Sequence, residues 1–543
     1  MDSPILGSSY VIRSPNAADN RMVNLYPEVI AEGGLEAAYL QRCPGLRFIS
    51  TVGAGPIQGQ WTHNNLGYAV SGQEFYSVTA AGVSTLVGTV ENTGVVSMAD
   101  NGTQLFIAAD PKGYIYNFDT GVLAEITDED FPGASTVGYL DGYFVFSEPN
   151  SQRIWVTSLF DGASVDPLDF ASAEGAPDDV VGLVVNHREV WVFGTNSTEV
   201  WYNSGDVDFP LSRIQGAYNE VGCVAPNSIS KLDNSIAWLG QDARGQGIVY
   251  RANGYSAQRI STHAVEFAIQ GYADITDAVS YSYQQDGHEF YVLNFPLADT
   301  TWVFDASTGA WHERRGLLNG QFTRHRSNTF VNFNGALVVG DYENGNLYAF
   351  DLDVYADNGQ TQKWLRRWRA LPTGANDFKR TAQHALQLIC ETGVGLPGYL
   401  PDAPLWVEDD VRVLVNDTTP TPTRTLFDRV FAALQDRAGA VLNTRFVPDA
   451  PAVDFDDYVL LGNPVIEGAD PQVMLRWSDD GGHTWSSEHW RSMGLLGASQ
   501  TRVIWRRLGM TNKLRDRVYE VSGTAPVKVA IMGAELTISG TNG

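Results

Sequence analysis

Between about residues 55 and 350 the chain is written in short apolar or alternating runs that meet at two-residue turns. YLDGYFVFS, VVNHREVWVFG, YQQDGHEFYVLNF and FVNFNGALVVGD each carry strand-forming residues on both sides of an Asn- or Asp-led pair. Seven such turns (Asn64-Asn65, Asn101-Gly102, Asp141-Gly142, Asn186-His187, Asp233-Asn234, Asp286-Gly287 and Asn334-Gly335) follow one another at spacings of 37 to 53 residues. A second aromatic strand running into an Asp or Gly turn, as in IYNFDTG, VWYNSG and WVFDASTGAW, completes each unit. A period in the forties with several short strands predicts a β-propeller, whose four-stranded blades bury their faces only against their neighbours. Residues 51–350 suffice for six or seven blades.

The flanks keep a different rhythm, and the whole reads as a mainly β chain. Residues 1–50 show no regular period and read as an arm or a set of edge strands, of the kind that packs on neighbours. Residues 351–398, with the basic-aromatic run Trp364, Leu365, Arg366, Arg367, Trp368 and Arg369, form the first part of a C-terminal β-module. Residues 399–469 are predicted as an inserted tip with Pro-rich edges at Pro401, Pro404, Pro420 and Pro422. The best helix in the chain is expected there, over 425–437. Leu426, Val430, Phe431 and Leu434 share one face of it, and Thr425 with Asp428 forms a capping pair.

Residues 470–543 supply the second part of the module. Val473, Leu475 and Trp477 alternate with polar neighbours up to a turn in which Ser478, Asp480, Gly482, Thr484 and Trp485 spell S-x-D-x-G-x-T-W. This Asp-box caps a hairpin turn with its own short polar side chains and packs a Trp beneath it, a device that stabilises and does not catalyse. Further strands carry Arg502, Arg506, Arg507, Arg515 and Arg517. Planar guanidinium forks suit carboxylates, so these arginines are read first as pairing partners within the module or across an interface, and second as DNA contacts. Trp364 and Trp368 are either interface anchors or core.

Charge and the inventory of reactive groups narrow the classes of function. A formal charge of −27, from 36 basic and 63 acidic residues, argues against an all-over DNA-binding surface. The same acid would keep a passing polyanion from sticking to a conduit wall, or would simply aid solubility. Cys43, Cys223 and Cys390 are odd in number and far apart, which suits a reducing compartment and supports neither disulfides nor a metal knuckle. Neither an export signal nor a membrane-spanning run is read. Acid clusters at Asp128-Glu129-Asp130, Asp206 with Asp208, and Asp351, Asp353, Asp357 and Asn358 complete no cation loop. His483 and His489 lack a third ligand. Catalytic, cofactor-binding and metal residues are accordingly read as none, and no cofactor is expected.

The order WSDDGGHTWSSEHWRSMG, TRVIWRRLG, RDRVYEV near the C-terminus resembles the tail nozzle proteins of stubby-tailed bacteriophages, also called packaged DNA stabilisation or head-completion proteins. NRMVNLYPE at 20–28, followed by Cys43-Pro44-Gly45-Leu46, resembles the opening of that family. The resemblance implies a non-enzymatic virion tail protein, assembled in the host cytoplasm. It implies a ring of six subunits below a portal–adaptor assembly. That ring would continue the channel for double-stranded DNA without reading its sequence, help retain and then eject the genome, and dock a plug or needle and tail fibres or spikes. By matching, 24–28, the Asp-box and 502–507 are scaffold positions. The alternative is a propeller that binds or cleaves host surface glycans, since sialidases carry Asp-boxes on their blades; here the box lies outside the repeat.

Overall fold

A computed structural model describes residues 1–11, 13, 18–30, 37–173, 175–207, 209–242, 244–371, 380–396, 468–511 and 517–540, and four short strands between 405 and 444. One compact unit comprises Met1–Cys390, Met474–His489 and Ile504–Gly543, and a second comprises Glu391–Val473 and Trp490–Val503. In the second unit the strands Leu405–Trp406, Val413–Val415, Asn443–Thr444 and Arg424–Thr425 pair in that order. Apart from Thr425, the helix expected over 425–437 lies outside the described residues. The described α-helix is instead His263–Ile269, whose first turn is capped by the Thr262 hydroxyl accepting from the Val265 amide.

In the first unit, seven four-stranded blades run over 57–89, 97–125, 137–172, 180–219, 230–259, 279–313 and 327–351, all meandering antiparallel. The seventh takes its outer strand, Gly45–Thr51, from the start of the chain. The first strand of blade 7, Ser327–Phe333, returns to lie beside that of blade 1, Ile57–His63, and this closes the ring. Each seam between blades holds its own apolar cluster. Phe106, Phe144, Phe146 and Trp155 fill the seam of blades 2 and 3. Val52, Ile57, Phe333 and Val338 fill the closing seam. Middle strands are covered on both faces, which is why they read as unbroken apolar runs such as VWVF.

The turns show how register is set. Asn64, Asn65, Asp233 and Asn234 all take φ between 44° and 61°, the left-handed conformation that two-residue hairpins demand and that Asn and Asp tolerate best. Two turns differ from the sequence reading. Asp100 pairs with Leu105 and Asn101 faces Gln104, so the first is Gly102-Thr103, not Asn101-Gly102. Asn186 pairs with Glu189, so the second is His187-Arg188, with φ of 51° and 63°, not Asn186-His187. Here the apolar pairs Leu183 with Val192 and Val185 with Val190 fix the register and override turn preference.

The C-terminal β-sandwich is built from two sheets. One runs Thr381–Cys390, Ala530–Gly540, Ala38–Arg42, Leu25–Val29. The other continues from the outer strand of blade 6, Ala310–Glu313, through Met22–Val23 to Trp364–Arg369, Val518–Gly523 and Gln472–Ser478. A two-residue strand from the N-terminal arm thus makes propeller and sandwich share one sheet. Gly45, at the start of the closing strand, has no room for a side chain: a Cβ there would sit 2.4 Å from the Ala356 carbonyl oxygen and 2.6 Å from that of Val354. Gly45→Ala is expected to cost about 2 kcal/mol through this backbone clash. Thermal unfolding beside Gly94→Ala, where nothing lies within 4 Å, checks it.

Candidate functional site

The N-terminal arm enters the fold at a joint made of buried charge. Arg21 reaches across from its place beside Met22–Val23 and forms a two-pronged pair with Glu313, at 2.8 Å to each carboxylate oxygen. Arg315 adds a third contact at 2.9 Å. Burial alone would lift the Glu313 carboxyl, but the Arg21 and Arg315 guanidiniums override it and bring it down to about 2. Asn24, 1% exposed with φ of 53°, donates its side-chain amide to the Arg315 and Lys363 carbonyls and accepts from the Arg315 amide. It therefore ties the ends of a blade strand and a sandwich strand to one side chain.

Two further groups hold the arm. Arg42, fully buried, spends its guanidinium on neutral acceptors: the carbonyls of Tyr355, Gln362, Ala525 and Val527 and the Gln362 side chain. His288 of blade 6 lies between two carboxylates, Asp305 at 2.8 Å and Glu28 of the arm at 2.5 Å. The hydrogen bond to Asp305, with that to Glu28, outweighs burial and holds the imidazole protonated up to about 9. Tyr26 packs edge-on against His288 and Phe290 and joins the seam of blades 6 and 7, where Arg314 lies over the Phe350 ring at 4.5 Å.

The Asp-box hairpin caps the opposite end of the same sheet. Asp480 accepts from the amides of His483 and Thr484 at 3.0 and 2.9 Å and from the Thr484 hydroxyl at 2.6 Å. Ser478 accepts from the Gly482 amide, and the Trp485 indole donates to the Gly482 carbonyl. Donation from the Ser478 and Thr484 hydroxyls and nearby amides holds the Asp480 carboxyl far below the usual carboxylate range. Arg367 and Arg476 lie over the Trp485 ring at 4.6 and 4.9 Å and both reach Glu520, while Arg367 also holds Asp19 of the arm. The hairpin sits on the sandwich sheet and not on a blade.

The remaining residues singled out in the sequence fall into distinct places. Arg517, 3% exposed, grips Asp479 with both prongs at 2.7 and 2.8 Å. Trp364 and Trp368 are buried, Trp368 donating to the Ser3 hydroxyl at 2.7 Å. Arg502, Arg506 and Arg507 are exposed, and Arg515 lies outside the described residues. Asp128 caps its own turn through the Asp130 amide, and Asp351 pairs with Arg47. His489 stacks on Trp477. Among the described residues, no group of three or more His, Cys, Asp or Glu is placed to hold a metal ion, and no helix is long and apolar enough to cross a membrane. Arg42, Glu313 and His288 went unmarked in the sequence; each has a partner 260 residues or more away in the chain, beyond any local pattern.

The sequence model of the family described as bacteriophage P22 Gp10, beta-propeller, matches residues 1–355. The chain belongs to the P22 Gp10 family. A second P22 Gp10 model, beta-sandwich, matches residues 440–539. The P22 Gp10 match makes this chain a structural protein of the phage virion tail. No curated protein matches it. Among solved structures it is similar to the Neurospora crassa Pan2 WD40 domain, at 10% identity over 57% of this chain and 96% of that one, with a TM-score of 0.38. It is also similar to the extracellular domain of the putative one component system BT4673 from B. thetaiotaomicron, at 11% identity over 88% and 58%, TM-score 0.39.

Replacing Glu313 with Gln leaves the two guanidiniums without their counter-charge in a buried site and should cost about 3 kcal/mol, read as a lower melting temperature. The His288 clamp has the opposite pH sense from a depressed carboxylate. Its folded pKa is raised, so its contribution is complete below the ordinary value of 6.5 and is lost as pH climbs to about 9. The melting temperature should fall over that window, and His288→Gln should flatten the slope.

Proposed function

We propose that this chain is the nozzle of a short phage tail: six copies form a ring beneath the portal–adaptor assembly, continue the DNA channel, help retain the packaged genome and release it into the host. Family membership over both the propeller and the sandwich carries this reading. The shared sheet supports it, because a channel subunit under the pressure of packaged DNA needs its modules joined by more than a linker. The excess of 63 acidic over 36 basic residues suits a wall along which DNA slides without sequence-specific grip.

The same proposal divides the chain into the arm at 1–50, the propeller at 51–350, the two halves of the C-terminal module at 351–398 and 470–543, and an inserted tip at 399–469. A plug or needle and tail fibres or spikes would dock on the ring, and exposed Arg506 and Arg507 are offered as interface residues. Electron microscopy of the purified protein mixed with its portal–adaptor complex tests the reading. Six-fold density continuing the adaptor channel is expected; a protein that stays off the adaptor would sink it.

A further inference from the structure

Arg366 stands apart from every other buried arginine described above. It is 1% exposed, yet among the described residues its side chain makes one hydrogen bond, from Nε to the Ile5 carbonyl at 2.6 Å, and Nη1 has no partner there. Burial lowers its pKa, to about 9, and no carboxylate among the described residues offsets it. Arg42, by contrast, has five acceptors. A buried guanidinium left without a counter-charge is costly, and such a cost persists where a site is built for something else.

What covers Arg366 is a short extended strap, residues 1–9. The strap adds to the edge of the long strand Ala530–Gly540 through two residue pairs, Asp2 with Glu535 and Ser3 with Ala534. Beyond it, the Ser3 hydroxyl donates to the Ala370 carbonyl and accepts from Trp368, Ile5 is buried, and Ser8 and Ser9 reach Trp311. Met1 also exchanges main-chain hydrogen bonds with Leu536, and the Ser9 hydroxyl accepts from the Met22 amide, but the Asp2 pair sets like charges opposite each other, which weakens a sheet edge. The strap is nonetheless a template, because it shows that an extended peptide fits this edge and brings an acceptor to Arg366.

We propose that this edge is a docking site for an extended acidic peptide of a partner protein, which replaces the strap by adding a strand to Ala530–Gly540 and brings one Asp or Glu carboxylate to Arg366. Strand addition supplies main-chain hydrogen bonds and the guanidinium supplies selection for a planar, singly charged carboxylate. With one cation in place, the site matches a carboxylate and falls short of phosphate or a DNA backbone, which call for several.

The test is calorimetric titration of the full chain with the hexapeptide (Ser-Glu)3, its neutral counterpart (Ser-Gln)3, and inorganic phosphate. The wild type is expected to bind the acidic peptide alone. Ser3→Ala, which loosens the strap, should tighten binding about tenfold, and Arg366→Met should weaken it by at least about as much. Arg366→Lys, keeping charge without the planar fork, should fall between. Since the guanidinium is uncompensated, Arg366→Met should melt at or above the wild-type temperature. Equal binding of (Ser-Gln)3, phosphate binding of equal strength, or no binding even to Ser3→Ala would overturn the proposal. So would an Arg366→Met protein that melts well below the wild type, because the guanidinium would then be a structural donor.

Discussion

A sheet edge carries unpaired amides and carbonyls that must be covered, and in this fold a single stretch near the start of the chain does much of the covering. Residues 22–23 sit between blade 6 and the sandwich, residues 25–29 and 38–42 complete the other sandwich sheet, and residues 45–51 complete blade 7. Three edges of two modules are closed by about thirty residues. The main-chain pairing would not fix the arm by itself, because Met22–Val23 is only two residues long. The buried ion pairs and caps at Glu313, Asn24, Arg42 and His288 supply the missing specificity of position.

These polar contacts carry an energetic asymmetry. A buried pair adds little over a well-packed apolar substitute, but removing one partner leaves an uncompensated charge. The joint is thus poor at adding stability and good at enforcing one alignment, since any slip of the arm against blade 6 separates Arg21 from Glu313 and Glu28 from His288. Apolar seams between blades do the complementary work. They are broad, tolerant of small shifts and repeated around the ring, as the clusters about Phe106, Trp238 and Tyr283 show.

The propeller was legible because its units are local. Strand, two-residue turn and strand lie within about twenty residues, and left-handed turns leave Asn, Asp and Gly where they are needed. The same locality misplaced two turns by one residue, at Asn101 and at Asn186; at the second, pairing of Val185 with Val190 outranked the preference of Asn for the corner. The Asp-box was legible for a like reason, as its hydrogen bonds span four residues or fewer. The seventh blade's outer strand was not, because residues 45–51 pair with 346–351 and no periodicity signals a partner so far along the chain. Glu28 was marked within a family word, but its partner His288 is an ordinary polar residue of a blade hairpin until the fold brings the two together.

That distant pairing also orders events in time. Strand Gly45–Thr51 leaves the ribosome early, whereas its partner strand at 346–351 comes some three hundred residues later. Blades 1 to 6 have their strands in sequence and can form as they emerge, but the circle stays open until the seventh arrives, and the entropy of that closure is met once, near the end. A nascent chain halted before residue 327 would carry a bare flank on blade 1 and an unmated early strand, both ready to pair with another molecule. Circular closure therefore acts as a completeness check: only a chain translated through its last blade can hide its own edges.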